Sequence, residues 1–185
     1  MRLVRGADAA RVRWRNDGGW TRELAREPAG DAGGFTWRVS VAEVETDGPF
    51  STFDGYDRIL VLLEGAGMDL CFRETERAAR LRSAGDWLHF AGEAPIDAAL
   101  IDGPTTDFNV IWCREAFSAS VQGSAAGEWG GAPGEVVFGV NRSGDCMITA
   151  PGEPCSLDGA WLAVVVLTPR ASITPATAPA ISPND

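Results

Sequence analysis

The stretch that constrains this chain most runs from Gly48 to Gly67, where two turn signals lead into an unbroken apolar run and a glycine-rich close. Gly48-Pro49 joins a permissive backbone to a fixed φ, and Asp54-Gly55 is a second turn signature. Ile59 to Leu63 are all apolar and rich in β-formers, and Glu64-Gly65-Ala66-Gly67 ends the run. Such a segment between turns predicts a strand buried on both faces. Arg58 stands at the mouth of that strand with the parity of Leu60 and Leu62. A guanidinium placed where leucines point needs an anion or a carbonyl, because a buried charge left alone is prohibitively costly.

The rest of the chain has the same β character. Phe35 to Val44 alternates, with Phe35, Trp37, Val39 and Val41 on one face and Thr36, Arg38, Ser40 and Ala42 on the other. At this level Arg38 is either a solvated outer-face charge or part of a site. Strands are also expected at Arg11–Trp14, Met68–Phe72 and Trp161–Leu167. Asn16-Asp17-Gly18-Gly19 reads as a turn, and Arg73 to Arg82 as a charged hairpin connection. A faint internal echo relates Leu60–Gly67 to Val137–Gly144, and Gly85-Asp86-Trp87-Leu88 to Gly159-Ala160-Trp161-Leu162. After Thr168-Pro169, residues 170–185 are proline-rich and lack bulk, so a tail without a core of its own is expected.

Charge and composition exclude several function classes. A net charge of −10 argues against a nucleic-acid surface and against anionic membranes, although a local cluster of donors can still hold an anion. The arginines near the N-terminus are not followed by an apolar segment, and no run approaches the length of a membrane span, so a soluble, cytoplasmic protein is expected. Cys71, Cys113, Cys146 and Cys155 show no C-x-x-C spacing and read as reduced. A single histidine, His89, leaves too few ligands for a metal centre. Ser51 has no nucleophile elbow around it, and no residue is identified as catalytic.

Four ordered motifs carry a family resemblance. Trp14-Arg15-Asn16-Asp17-Gly18-Gly19-Trp20-Thr21-Arg22-Glu23, Trp37-Arg38-Val39-Ser40-Val41-Ala42, Gly48-Pro49-Phe50-Ser51 with Arg58, and Asp107-Phe108-Asn109 resemble the HutD/Ves family of cupin-like proteins. The family has Gly where this chain has Asp17. Against the first cupin motif, counting back from Gly65 puts Arg58 at the glutamate position and either Thr52 and Asp54 or Ser51 and Phe53 at the two histidine positions. The third histidine position falls near Pro95. The resemblance therefore implies a cupin scaffold without its metal ligands, and no cofactor.

Together with the internal echo, the resemblance predicts an all-β, cupin-like double-stranded β-helix (jelly roll). It would be a compact bicupin over residues 1–169, with barrel halves of about 1–105 and 106–169. The expected ligand-binding residues are Arg38, Arg58, Ser40, Ser51, Phe53, Asp107, Asn109, Thr21 and His89, with Trp37 and Phe50 as further apolar walls. Arg58 and Asp107 could instead pair with each other in the core. The family's association with histidine utilisation implies a small carboxylate such as urocanate or formylglutamate as ligand. A metal-independent enzyme of small acids and a protein-interaction scaffold are the other two readings, and a homodimer is left open.

Overall fold

The apolar run at Ile59–Leu63 needs apolar surroundings on two sides, and stacked sheets supply them. The computed structural model describes residues 1–29, 34–75, 77–123, 126–158 and 160–170. Strands are numbered along the chain. A six-stranded sheet is built in the order β2 (Arg11–Arg13), β3 (Gly19–Ala29), β4 (Gly34–Val44), β11 (Thr105–Cys113), β6 (Tyr56–Glu64) and β9 (Trp87–Ala91). A four-stranded sheet packs on one face, in the order β5 (Gly48–Pro49), β10 (Ile96–Leu100), β7 (Met68–Phe72) and β8 (Ala78–Leu81). On the other face lies a five-stranded sheet of β1 (Arg2–Val4), β15 (Cys146–Ile148), β14 (Val136–Val140), β17 (Ala163–Pro169) and β12 (Phe117–Gly123). A two-stranded flap, β13 (Gly127–Trp129) with β16 (Cys155–Leu157), covers a smaller cluster around Val137 and Val164.

Each of these pairings is antiparallel, and one short 3₁₀ turn, Gly6–Asp8, is the only helical element among the described residues. Period-two alternation sorts the middle sheet into two cores. Leu60 and Leu62 pack with Met68, Leu70, Leu88 and Ile96 on the side of the four-stranded sheet. Ile59, Val61 and Leu63 join Val39, Val41, Phe108, Val110, Phe138 and Val165 on the other. Edge-on aromatic pairs tie the layers together, Phe72 with Phe90 at 6.3 Å on the first side and Trp37 with Phe138 at 5.1 Å on the second. Trp37 is therefore a core residue of the second side and not a wall of the expected site.

Several elements differ from expectation. The 11-residue strand β3 went unrecognised because register shifts at Glu23/Ala25 and Glu27/Pro28 bury Leu24 and Ala25 consecutively and destroy its alternation. Arg73 to Arg82 holds a strand of its own, β8, where the chain was expected only to turn. Strand membership crosses the boundary anticipated near residue 105, since β1 joins the five-stranded sheet and β11 lies between β4 and β6. In the internal echo, β6 is paired by β9 as β14 is paired by β17. Gly159 and residues 171–185, including nearly all of the expected tail, lie outside the described residues. The four cysteines are free, and burial raises the thiol of Cys146 well above its ordinary range. No helix among the described residues is long and apolar enough to cross a membrane.

Candidate functional site

Antiparallel register stacks the expected residues into rows on one face of the middle sheet. Arg38, Ile111 and Arg58 lie side by side on β4, β11 and β6. Two residues along, Ser40, Asn109 and Leu60 form the next row, followed by Ala42, Asp107 and Leu62. These rows, apart from Leu62, floor a cavity of about 640 Å³, whose rim is residues 12–16 on one side and Pro49 to Phe53 on the other.

Arg58 is 7% exposed and tightly positioned. Its Nη1 donates to the backbone oxygen of Ser51 at 3.1 Å and its Nη2 to Asn109 Oδ1 at 2.9 Å. The guanidinium carbon sits 5.1–5.5 Å from the ring centres of Phe50, Phe53 and Phe90, within cation–π range. Because Arg58 occupies the oxygen of Asn109, the amide of Asn109 must turn its nitrogen the other way, and it donates to Asp107 Oδ1. Arg58 and Asp107 are thus linked through Asn109. Burial pushes the Asp107 carboxyl up to about 7, against the opposing pull of the Arg58 charge and the Asn109 hydrogen bond. Arg38 is one-quarter exposed, with Nε 3.5 Å from Glu23 Oε2 and the guanidinium 5.8 Å from Phe53.

The rim is fixed by the hairpin of β2 and β3. Asp17 adopts a φ of 56°, so aspartate does fill the left-handed turn position where the family has glycine. A Cβ on Gly19 would lie 2.2 Å from the Glu43 carbonyl oxygen and 3.1 Å from the Trp14 ring, and this close approach requires glycine. Trp14, held down there, donates its Nε1 to Thr21 Oγ1 at 2.8 Å, which leaves the Thr21 hydroxyl proton to donate elsewhere.

Eight of the nine expected residues line this one cavity: Thr21, Arg38, Ser40, Ser51, Phe53, Arg58, Asp107 and Asn109. His89 does not. It faces the opposite side of the sheet, opposite Ile59 on β6, exposed, with its ring 5.3 Å from Trp112 and its Nε2 3.8 Å from Asp57. Alternation decides this, since Phe90, one residue on, is the β9 side chain that reaches Arg58. Sequence reasoning missed Arg13, Arg15 and Phe90 at the site. The position of Trp14 and Arg15 inside the first motif was the available signal.

With that geometry in hand, the comparisons with known proteins place the chain. A 21.2 kDa uncharacterised protein from the hutC 3' region of Pseudomonas putida is 37% identical over 122 residues. The match spans 66% of this chain and 63% of that protein, less than two thirds of the relative's length. Protein Ves of Escherichia fergusonii is 32% identical over 151 residues, 79% of this chain and 78% of its own. Among solved structures, PA5104 of Pseudomonas aeruginosa PAO1, a conserved protein of unknown function, is 30% identical with a TM-score of 0.75 over 90% of this chain and 97% of its own. HutD of Pseudomonas fluorescens SBW25 is 28% identical with a TM-score of 0.70 over 92% and 99%. The HutD family model matches residues 6–165, and this all-β, cupin-like chain belongs to the HutD family.

Proposed function

We propose that this chain binds a small carboxylate in the cavity above β4, β11 and β6, and that it serves histidine utilisation in an accessory or regulatory role. The observation that carries the reading is the charge of the cavity wall. Arg13, Arg15, Arg38 and Arg58 line it, with Arg13 ion-paired to Glu45 and Asp17 and Arg38 beside Glu23, and Asp107 is the one acidic residue of the lining in a chain whose net charge is −10. With its carboxyl raised to about 7 by burial, Asp107 is only part-ionised at neutral pH and offsets only part of that positive field. Arg38 and Arg58 lie two strand spacings apart, roughly 10 Å, which suits a small anion held between two fork-shaped donors. Apolar walls from Phe50 and Phe53 with a few convergent polar groups are the usual make-up of a small-ligand site.

Binding is favoured over catalysis by the placement of the side chains. His89, the chain's one imidazole, faces away from the cavity, and Ser51 contributes its backbone oxygen to Arg58. Thr52, Asp54, Arg58 and Pro95 occupy the cupin ligand positions, so the carboxylate would be held by arginine and not by a metal. The link to histidine utilisation comes from the family and from the hut-region relative, and it nominates urocanate and formylglutamate as ligands.

The test is thermal denaturation with urocanate, N-formylglutamate and their carboxamides. The acids should stabilise the protein by RT ln(1 + [L]/Kd), about 2.7 kcal/mol at a hundredfold excess over Kd, and the amides should not. No shift with either acid, or the same shift in Arg58→Met, would overturn the reading.

A further inference from the structure

Carboxylate capture by arginine leaves a buried acceptor of the cavity unused. Asp107 lies on its floor, 1% exposed, with Oδ1 taken by the Asn109 amide and no hydrogen-bond partner on Oδ2 among the described residues. In the ionised form, which prevails above its pKa of about 7, this buried carboxylate leaves Oδ2 as an acceptor for which the described residues supply no donor, and such positions are rare unless something else fills them. Its orientation is also fixed. Arg58 holds the oxygen of Asn109, Asn109 must therefore donate to Asp107, and Oδ2 is the oxygen left over.

We infer that Asp107 Oδ2 receives an N–H donor of the ligand, so that the molecule this site takes is a small acid that also bears a planar N–H group, such as an imidazole or a secondary amide. This rests on the carboxylate reading above and adds the second recognition element. With so little of Asp107 open, the donor has to arrive on a slim flat edge, which favours a ring or amide N–H over a hydrated ammonium. The spacing agrees. Arg58 reaches back to the row of Asn109, and the row of Asp107 lies two residues further along β11, about 7 Å, a distance that a few bonds between carboxylate and N–H can span. Because the site is built to satisfy its acceptor, an analogue lacking the N–H leaves Oδ2 unpaired and should be rejected.

The experiment is calorimetric titration at about pH 8.5, where the Asp107 carboxyl is ionised, with two pairs of probes that differ only in an N–H replaced by oxygen. One pair is urocanate and its oxazole analogue, and the other is N-acetylglycine and O-acetylglycolate. The wild-type protein should favour the N–H member of a pair at least tenfold. In Asp107→Asn the new side chain must give its oxygen to Asn109 and its NH₂ to the cavity, so the preference should vanish or reverse in favour of the oxygen member. Equal binding of both members to the wild type, or an unchanged preference in Asp107→Asn, would overturn the inference and leave the carboxylate reading standing. Binding of neither member of either pair, or binding indifferent to Arg58→Met, would overturn both. Should Asp107→Asn fail to fold, the wild-type comparison alone decides.

Discussion

Arg38 and Arg58 stand at one level of the six-stranded sheet with Ile111 between them, a cation on each side of an apolar floor strip. Only two strand pairings are needed to produce this, because the register of β4 and of β6 against β11 is fixed by the apolar residues that alternate with the arginines.

Replacing Arg58 separates a ligand site from a structural ion pair. Arg58→Met keeps most of the side-chain volume and, among the described residues, removes hydrogen bonds to the neutral oxygens of Ser51 and Asn109. Asp107 is raised to about 7 even with Arg58 present, so without it the carboxyl simply stays protonated over a wider range. Urea denaturation at neutral pH should show a loss of no more than about 1–2 kcal/mol, together with loss of carboxylate binding. A loss of roughly 3–5 kcal/mol, cured by adding Asp107→Asn, would mark a buried pair instead.

Asp107 should write its signature on the pH dependence of stability. Its folded pKa of about 7 lies above the ordinary carboxylate value of 3.8, so the folded state holds the proton more tightly than the unfolded one. Its contribution is then fully present below about pH 4, declines as the pH rises, and is gone above about pH 7. Asp107→Asn lacks this component. Relative to the wild type it should gain stability between pH 5 and 8, by up to a few kcal/mol, as read from denaturant midpoints across that range. A flat difference between the two proteins would show that the carboxyl titrates normally.

The rim should depend on Gly19. Gly19→Ala forces a Cβ against the Glu43 carbonyl at 2.2 Å, where backbone on both sides leaves little room to yield. A destabilisation of about 2–4 kcal/mol is expected, with weakened ligand binding as Trp14 loses its seat over the cavity mouth. An alanine variant with wild-type stability and affinity would mean that the hairpin takes no part in closing the site.

Chelation should change nothing. The cupin ligand positions hold Thr52, Asp54, Arg58 and Pro95, which together offer a single carboxylate. Excess EDTA should leave the melting temperature and carboxylate affinity unaltered, and a fall in either would point to a bound ion.

Both cores should be lost in one step. Leu70→Ala empties the core on the four-stranded side and Phe138→Ala the core on the five-stranded side, each at about 2–5 kcal/mol. Since β4, β6 and β11 wall both, tryptophan fluorescence and far-ultraviolet dichroism should report one coincident transition in each variant. Two separated transitions would show that the halves fold independently.

How far the sequence reveals this fold depends on how cleanly each strand alternates. Phe35 to Val44 and Met68 to Phe72 are legible because each keeps one parity from end to end. Ile59 to Leu63 is legible for the opposite reason, since only a strand between two cores tolerates five apolar residues in succession. Strand β3 is opaque because its register shifts change parity midway, and β8 because Arg77, Arg80 and Arg82 disguise four strand residues as a loop. The same parity rule recovered Arg38, Ser40, Arg58, Asp107 and Asn109 as one face. His89 was misplaced because a lone histidine draws attention by its chemistry, while Phe90 beside it holds the position that matters. The link through Asn109 was not legible, because parity shows which side chains share a face but not which of them a long arginine will reach.

The middle sheet also decides where motion can occur. A floor strand of the cavity cannot part from its neighbours without opening the second core behind it, so amide protons along β4, β6 and β11 should exchange with solvent only on global unfolding. Breathing of the site is thereby confined to the hairpin carrying Trp14 and the loop from Pro49 to Phe53. The residence time of any bound molecule is set by those two short segments, and it can be changed by altering them without touching Arg38, Arg58, Asn109 or Asp107 on the sheet floor.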